Sequence, residues 1–111
     1  MKDQTIYLRH ILESIEAIER YTQGITRRQF LRPGQVQDAI IRRLEIIGEA
    51  GRHLSETTLE QLSTIDWQGA KGMRNFLIHE YFGVDLPLVW IVVQKKLPLM
   101  KEAISVFLKN K

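Results

Sequence analysis

The stretch Leu8-Arg9-His10-Ile11-Leu12-Glu13-Ser14-Ile15-Glu16-Ala17-Ile18 decides the fold class. Leu8, Ile11, Leu12, Ile15 and Ile18 fall at intervals of three, one, three and three, one apolar stripe on a 3.6-residue period. Glu13, Glu16, Glu19 and Arg20 occupy the other side. This pattern predicts a helix from about Asp3 to Thr22, stopped by Gly24. Further along, Thr26 is placed to cap a short turn through Phe30, and Pro33-Gly34 breaks the chain. A second long helix is expected over about Gly34 to Leu54, with Val36, Ile40, Leu44, Ile47, Gly51 and Leu54 facing the core. Gly48 and Gly51 inside it cost roughly 1 kcal/mol each relative to alanine, which points to close approach of another helix.

The rest of the chain continues in the same key. Thr57-Thr58-Leu59-Glu60 reads as a capping box opening a short helix. A third substantial helix is expected from Asp66-Trp67 to Gly83, and Asp85 then caps the last, with Pro87 harmless in its first turn. That helix should run to about Leu108 with a kink at Pro98. The run from Leu88 to Val93 has β-propensity, yet the sequence offers no second strand to pair with it. The expected architecture is all-α: an up-and-down bundle of four to five helices in a single domain over residues 1–111.

Composition narrows the function classes. With 44% hydrophobic and 26% charged residues, the chain matches an ordinary globular domain. It has no cysteine, which excludes disulfides, thiolate metal sites and a cysteine nucleophile. The polar start at Met1-Lys2-Asp3 is unlike a signal peptide, and Val84 to Val93 is too short for a bilayer, so the cytoplasm is the expected location. A net charge of +3 is compatible with a polyanionic partner.

The segment Gly72-Met73-Arg74-Asn75-Phe76-Leu77-Ile78-His79-Glu80-Tyr81-Phe82-Gly83 carries the chemistry. An arginine, a histidine five positions on and a tyrosine two beyond that would arise by chance roughly 0.007 times in a chain of this composition. In these surroundings the sequence resembles the HepT-like HEPN-domain toxins of the HEPN/MNT toxin–antitoxin family. The resemblance covers nearly the whole chain. Its landmarks are His10–Ile15, Leu44–Ala50, Trp67, Gly72–Asn75, His79–Asp85 and Val89-Trp90. It implies a metal-independent endoribonuclease whose signature falls on Arg74 and His79, with the polar residue after the arginine at Asn75. It also implies a nucleotidyltransferase antitoxin as partner, and a nucleotidylylated tyrosine at Tyr81.

The residue types suit RNA cleavage on their own terms. A base must take the proton of a 2′-hydroxyl, and histidine is poised near neutral pH for that role. A cation must steady the charge that gathers on the phosphorane, and the permanently charged fork of arginine suits it. Asn75 is placed to orient a phosphate oxygen or the imidazole, and the expected products are a 2′,3′-cyclic phosphate and a 5′-hydroxyl. No cofactor is called for, and Glu80 and Asp85 are the only carboxylates near enough to consider for a metal. Tyr81 has two readings: contact with a base or phosphate, or the hydroxyl that receives AMP.

On an ideal helix, residues five apart are separated by about 140° around the axis, so Arg74 and His79 do not share a stripe. Asn75 and His79 do, as do Arg74 and Tyr81. Two such faces opposed across a two-fold axis would gather both pairs around one cleft, which predicts a homodimer as the catalytic unit. The remaining polar features have blander readings. His10 and His53 are structural, and Trp67 and Trp90 are core or interface anchors. Arg27-Arg28, Arg42-Arg43 and Lys95-Lys96 are solvated faces, of which Arg42 and Arg43 are the better RNA contacts. The rival function is a non-catalytic helical module that binds nucleotide or serves as accessory subunit to a nucleotidyltransferase; a purely structural interaction domain is a third reading.

Overall fold

Asp3 opens helix α1 (Gln4–Thr22): its carboxylate accepts from the Thr5 N–H at 2.9 Å, so the helix begins one residue after its cap. The computed structural model describes residues 3–70, 72 and 85–110. The expected stripe is the buried one, with Leu8 and Ile11 fully enclosed and Ile15 and Ile18 nearly so. The helix stops where Gly24 takes φ +75°, a left-handed conformation that costs glycine nothing. Thr26 then caps α2 (Arg27–Leu31) in a reciprocal box. The Gln29 N–H donates to its hydroxyl at 3.2 Å, and its own N–H donates to the Gln29 side chain at 2.8 Å.

After Pro33-Gly34 the second long helix, α3 (Gln35–Arg52), packs along α1 in the largest helix pair among the described residues. One core position differs from expectation. Val36 is exposed, and Gln37 takes the buried place, its amide donating to the Phe30 carbonyl at 3.1 Å. A polar side chain wins there because the chain reversal at Pro33 leaves that carbonyl buried without a backbone donor, and an unmet acceptor is costly. The helix also ends two residues early, and Leu54 is buried from beyond its end.

Helix α4 (Glu56–Gln61) is capped by Ser55 rather than Thr57: the Thr58 N–H donates to the Ser55 hydroxyl at 3.2 Å. Gln4, at the start of α1, pins this cap by accepting from the Ser55 N–H at 2.6 Å. The sequence after Asp85 is helical throughout, so the β-prone run pairs with nothing. It forms α5 (Leu86–Ile91), a π turn (Val92–Lys96) and α6 (Leu97–Lys109). The disturbance expected at Pro98 takes this form. Proline has no N–H for the carbonyl four residues back, and the preceding turn widens so that the Leu97 N–H reaches the Val92 carbonyl. Val89, Val93, Leu97, Met100 and Ile104 bury themselves against the α1–α3 pair.

An exposed ion pair closes α6 onto α1: the Lys101 ammonium lies 2.8 Å from a Glu19 carboxylate oxygen. The hydrogen bond to Glu19 holds the Lys101 pKa above its ordinary value. Among the described residues there is no strand, and no helix is long and apolar enough to cross a membrane. The described elements form the all-helical bundle that the periodicity predicts.

Candidate functional site

The motif-bearing segment enters from a firmly seated residue. Trp67 is 8% exposed, its indole N–H donates to the Leu62 carbonyl at 3.1 Å, and residues 67–70 are helical. Asp66 caps this turn, accepting from the Gly69 N–H at 2.9 Å. The indole lies flush against α3 at Gly51, where an added Cβ would stand 3.3 Å from Cε3 and 3.4 Å from Cζ3 of the ring. The close approach expected of the helix glycines is therefore made, at Gly51, by the first residue of the helical turn at 67–70. Ala at that position would crowd the ring, and a larger side chain would displace it.

The chain leaves the segment at a second anchor. The Asp85 carboxylate accepts from the Leu88 N–H at 3.1 Å, and Pro87 sits in the first turn of α5, as the sequence suggests. Val89 is buried, and Trp90 stacks on Phe30 of α2 with ring centroids 5.2 Å apart. Trp67 and Trp90 are thus packing anchors. Arg74, Asn75, His79 and Tyr81 lie outside the described residues, as does Glu80.

The two arginines singled out on α3 have different surroundings. Arg43 is half-buried and directs Nη1 at the Ser14 hydroxyl, 3.5 Å away, across the α1–α3 seam. Arg42 is exposed and borders a groove of about 320 Å³ together with Tyr7, His10, Glu45, Glu49 and His53. The ring of His53 stacks on Tyr7 at 5.1 Å, and its Nε2 lies 3.3 Å from Glu49, a structural arrangement at the end of α3. Carboxylates on the same groove oppose a phosphate at Arg42. Among the described residues no group of three His, Asp or Glu side chains is arranged to hold a metal ion.

Comparison with known proteins places this architecture. The HepT-like family model, described as ribonuclease HepT-like, matches residues 11–107. A Methanocaldococcus jannaschii protein named "Gamma-glutamylcyclotransferase and putative RNase MJ0434" is 52% identical over 93% of the chain, which spans only 46% of that protein's length. "Putative RNase TTE0752" of Caldanaerobacter subterraneus subsp. tengcongensis is 36% identical over 99% of this chain and 98% of its own. "Probable ribonuclease HepT" of Thermococcus cleftensis is 41% identical over 86% of each. No solved structure gives a significant match. On the family match across nearly its whole length, and on full-length relatives above 30% identity, the chain belongs to the HepT-like ribonuclease family.

Proposed function

We propose that the protein is the endoribonuclease toxin of a toxin–antitoxin pair, cleaving RNA without a metal through Arg74, Asn75 and His79. The observation that carries this reading is the intact Arg74-x4-His79-x-Tyr81 spacing within a chain of the HepT-like ribonuclease family. His79 takes the proton of a 2′-hydroxyl, the 2′-oxygen attacks the adjacent phosphorus, and the bond to the 5′-oxygen breaks. The proton held by the imidazole is then available to the departing 5′-oxygen, giving a 2′,3′-cyclic phosphate and a 5′-hydroxyl. Arg74 steadies the negative charge on the non-bridging oxygens as it builds up. Asn75, four residues before His79, orients the imidazole or a phosphate oxygen by hydrogen bonding.

The working unit in this reading is a homodimer, because the five-residue spacing of Arg74 and His79 would set them about 140° apart on an ideal helix and a second copy would close the cleft. Exposed Leu88, Leu99 and Val106 supply apolar surface that a second copy could cover. Mixing inactive Arg74→Ala and His79→Ala chains should restore some activity where catalytic pairs form across subunits. A nucleotidyltransferase antitoxin restrains the toxin by joining the α-phosphorus of ATP to the Tyr81 hydroxyl, with release of pyrophosphate and the phenolic proton. The added nucleotide brings bulk and negative charge to the cleavage motif, seven residues from Arg74 and so on its stripe of an ideal helix. Tyr81→Phe should be refractory to that control, and a switchable Tyr81→Phe protein would refute it.

End-group analysis tests the reaction itself. Purified wild type, in chelator, should leave cyclic phosphate ends on RNA, and His79→Ala should leave none above background. Equal cleavage by both proteins, or by neither, would favour the non-catalytic nucleotide-binding module instead.

A further inference from the structure

We propose that Arg20, Arg27, Arg28 and Arg32 form a track for the phosphodiester backbone of single-stranded RNA, set apart from the cleavage motif; the proposal rests on RNA being the substrate. Between residues 20 and 37 the chain holds these four arginines and no carboxylate or lysine. They contribute +4 to a chain whose net charge is +3, so all the other residues together carry 3 − 4 = −1. Residues 71–111 carry the same +4, but there seven cations are mixed with three carboxylates, whereas residues 20–37 hold no acid.

The structure leaves these side chains without internal employment. All four are exposed, and none makes an ion pair or side-chain hydrogen bond among the described residues. The structural duties of α2 fall to other groups: Thr26 and Gln29 close its first turn, and Phe30 is wholly buried against Trp90. Arg27 and Arg28 open α2, and Arg32, four residues after Arg28, is its C-terminal cap in extended backbone. The acids on neighbouring elements include Glu13, Glu16 and Glu19 on α1, the last engaged by Lys101, Asp38 in the first turn of α3, and Asp85 capping α5. Of these only Glu16 and Glu19 stand within one turn of Arg20 in sequence, and none lies within α2. Four like charges in thirteen residues repel one another within the screening length of about 8 Å, a cost that a polyanion removes. Every cation in the stretch is an arginine, whose fork grips two phosphate oxygens where lysine offers a point charge.

Position connects the track to the motif. Helix α2 packs on α5, which begins just after Asp85. Six residues of chain join His79 to Asp85, and six residues reach at most about 22 Å. The track therefore lies on an element packed against the helix to which the motif is joined by this short tether.

The test is equilibrium binding of a 2′-O-methyl RNA of about 16 nucleotides, which has no 2′-hydroxyl to be consumed. Wild type is compared with the triple variant Arg27→Gln/Arg28→Gln/Arg32→Gln across a salt series, with circular dichroism melting to verify that the variant is folded. Each engaged phosphate contributes about 0.7 to the slope of log affinity against log salt, so the variant's slope should be shallower by about 2. At 0.1 M salt that corresponds to a loss of up to ~100-fold in affinity, similar for all base sequences. Wild-type affinity and slope in the variant would overturn the proposal and assign the arginines to an acidic protein partner. An equal loss on removing Lys95, Lys96 and Lys109 instead would also overturn it, because net charge rather than this surface would then be responsible. His79-dependent cleavage is read separately, so either reading can fail while the other stands.

Discussion

Gly51→Val should unseat Trp67, the residue that begins the helical turn at 67–70. The Trp67 indole cannot retreat freely, being 8% exposed and tethered by its N–H to the Leu62 carbonyl at 3.1 Å. A bare Cβ at residue 51 already stands 3.3 Å from the ring. Alanine would gain at most about 1 kcal/mol of helix propensity over glycine, set against a contact that needs the ring to move a few tenths of an ångström. Gly51→Ala should accordingly lie within about 1 kcal/mol of wild type. Valine's methyl groups reach into the volume of the ring itself, an overpacking worth roughly 1–3 kcal/mol. If the ring is expelled, the lost indole hydrogen bond adds about 1 kcal/mol. The sum of about 2–4 kcal/mol translates to a fall in melting temperature of roughly 8–16 °C for a domain of this length. Urea unfolding followed by circular dichroism measures it, and Trp67 fluorescence in a Trp90→Phe background should shift to the red as the indole meets water. Gly51→Val with unchanged stability and an unshifted spectrum would refute the argument.

Ser55→Ala should cost about 1 kcal/mol and Thr57→Ala within ~0.5 kcal/mol, because only the former hydroxyl caps α4; paired thermal melts decide it. Gln37→Leu should destabilise by about 1–3 kcal/mol despite adding an apolar group to a buried site, since it orphans the Phe30 carbonyl; denaturant midpoints report the change. Lys101 has its pKa raised by Glu19, so its contribution is complete below the unfolded lysine value and lost as pH climbs through the elevated one. Any melting difference between wild type and Lys101→Gln at pH 8 should thus close at strongly alkaline pH. A difference that persists there would place the effect in packing instead.

Much of the fold is legible in the sequence where one face of a helix meets a continuous core. Leu8 to Ile18 and Ile40 to Ile47 repeat at helical spacing and are buried as that spacing predicts. The readings that differ come from interactions between elements, which periodicity does not encode. Val36 looks like the core residue and Gln37 does not, until the carbonyl of Phe30 needs a donor. Ser55 and Thr57 both satisfy a capping pattern, and the choice falls to Ser55 because α3 ends at Arg52 and Gln4 arrives from α1 to hold the Ser55 N–H. Pro98 signals a disturbed helix, while the π turn that absorbs it is a property of the hydrogen-bond ladder around it. At the site, the caps at Asp66 and Asp85 and the packing of Trp67 follow from local chemistry, whereas the roles of Arg74, Asn75, His79 and Tyr81 rest on residue type and spacing. Arg27 and Arg28 read as a solvated face while taken as a pair. Their significance emerges only with Arg20 and Arg32 and with the lack of carboxylates between residues 20 and 37.

In the proposed reaction an imidazole and a guanidinium act on one phosphate, and single-turnover cleavage of a labelled RNA in excess chelator measures that directly. His79→Ala should slow the reaction by about 10²–10⁴-fold, the usual worth of a positioned base. Arg74→Ala should slow it by about 10²–10³-fold, as expected for the loss of a donor to the developing charge. Cleavage by both variants at the wild-type rate would place the chemistry elsewhere in the chain and contradict the account.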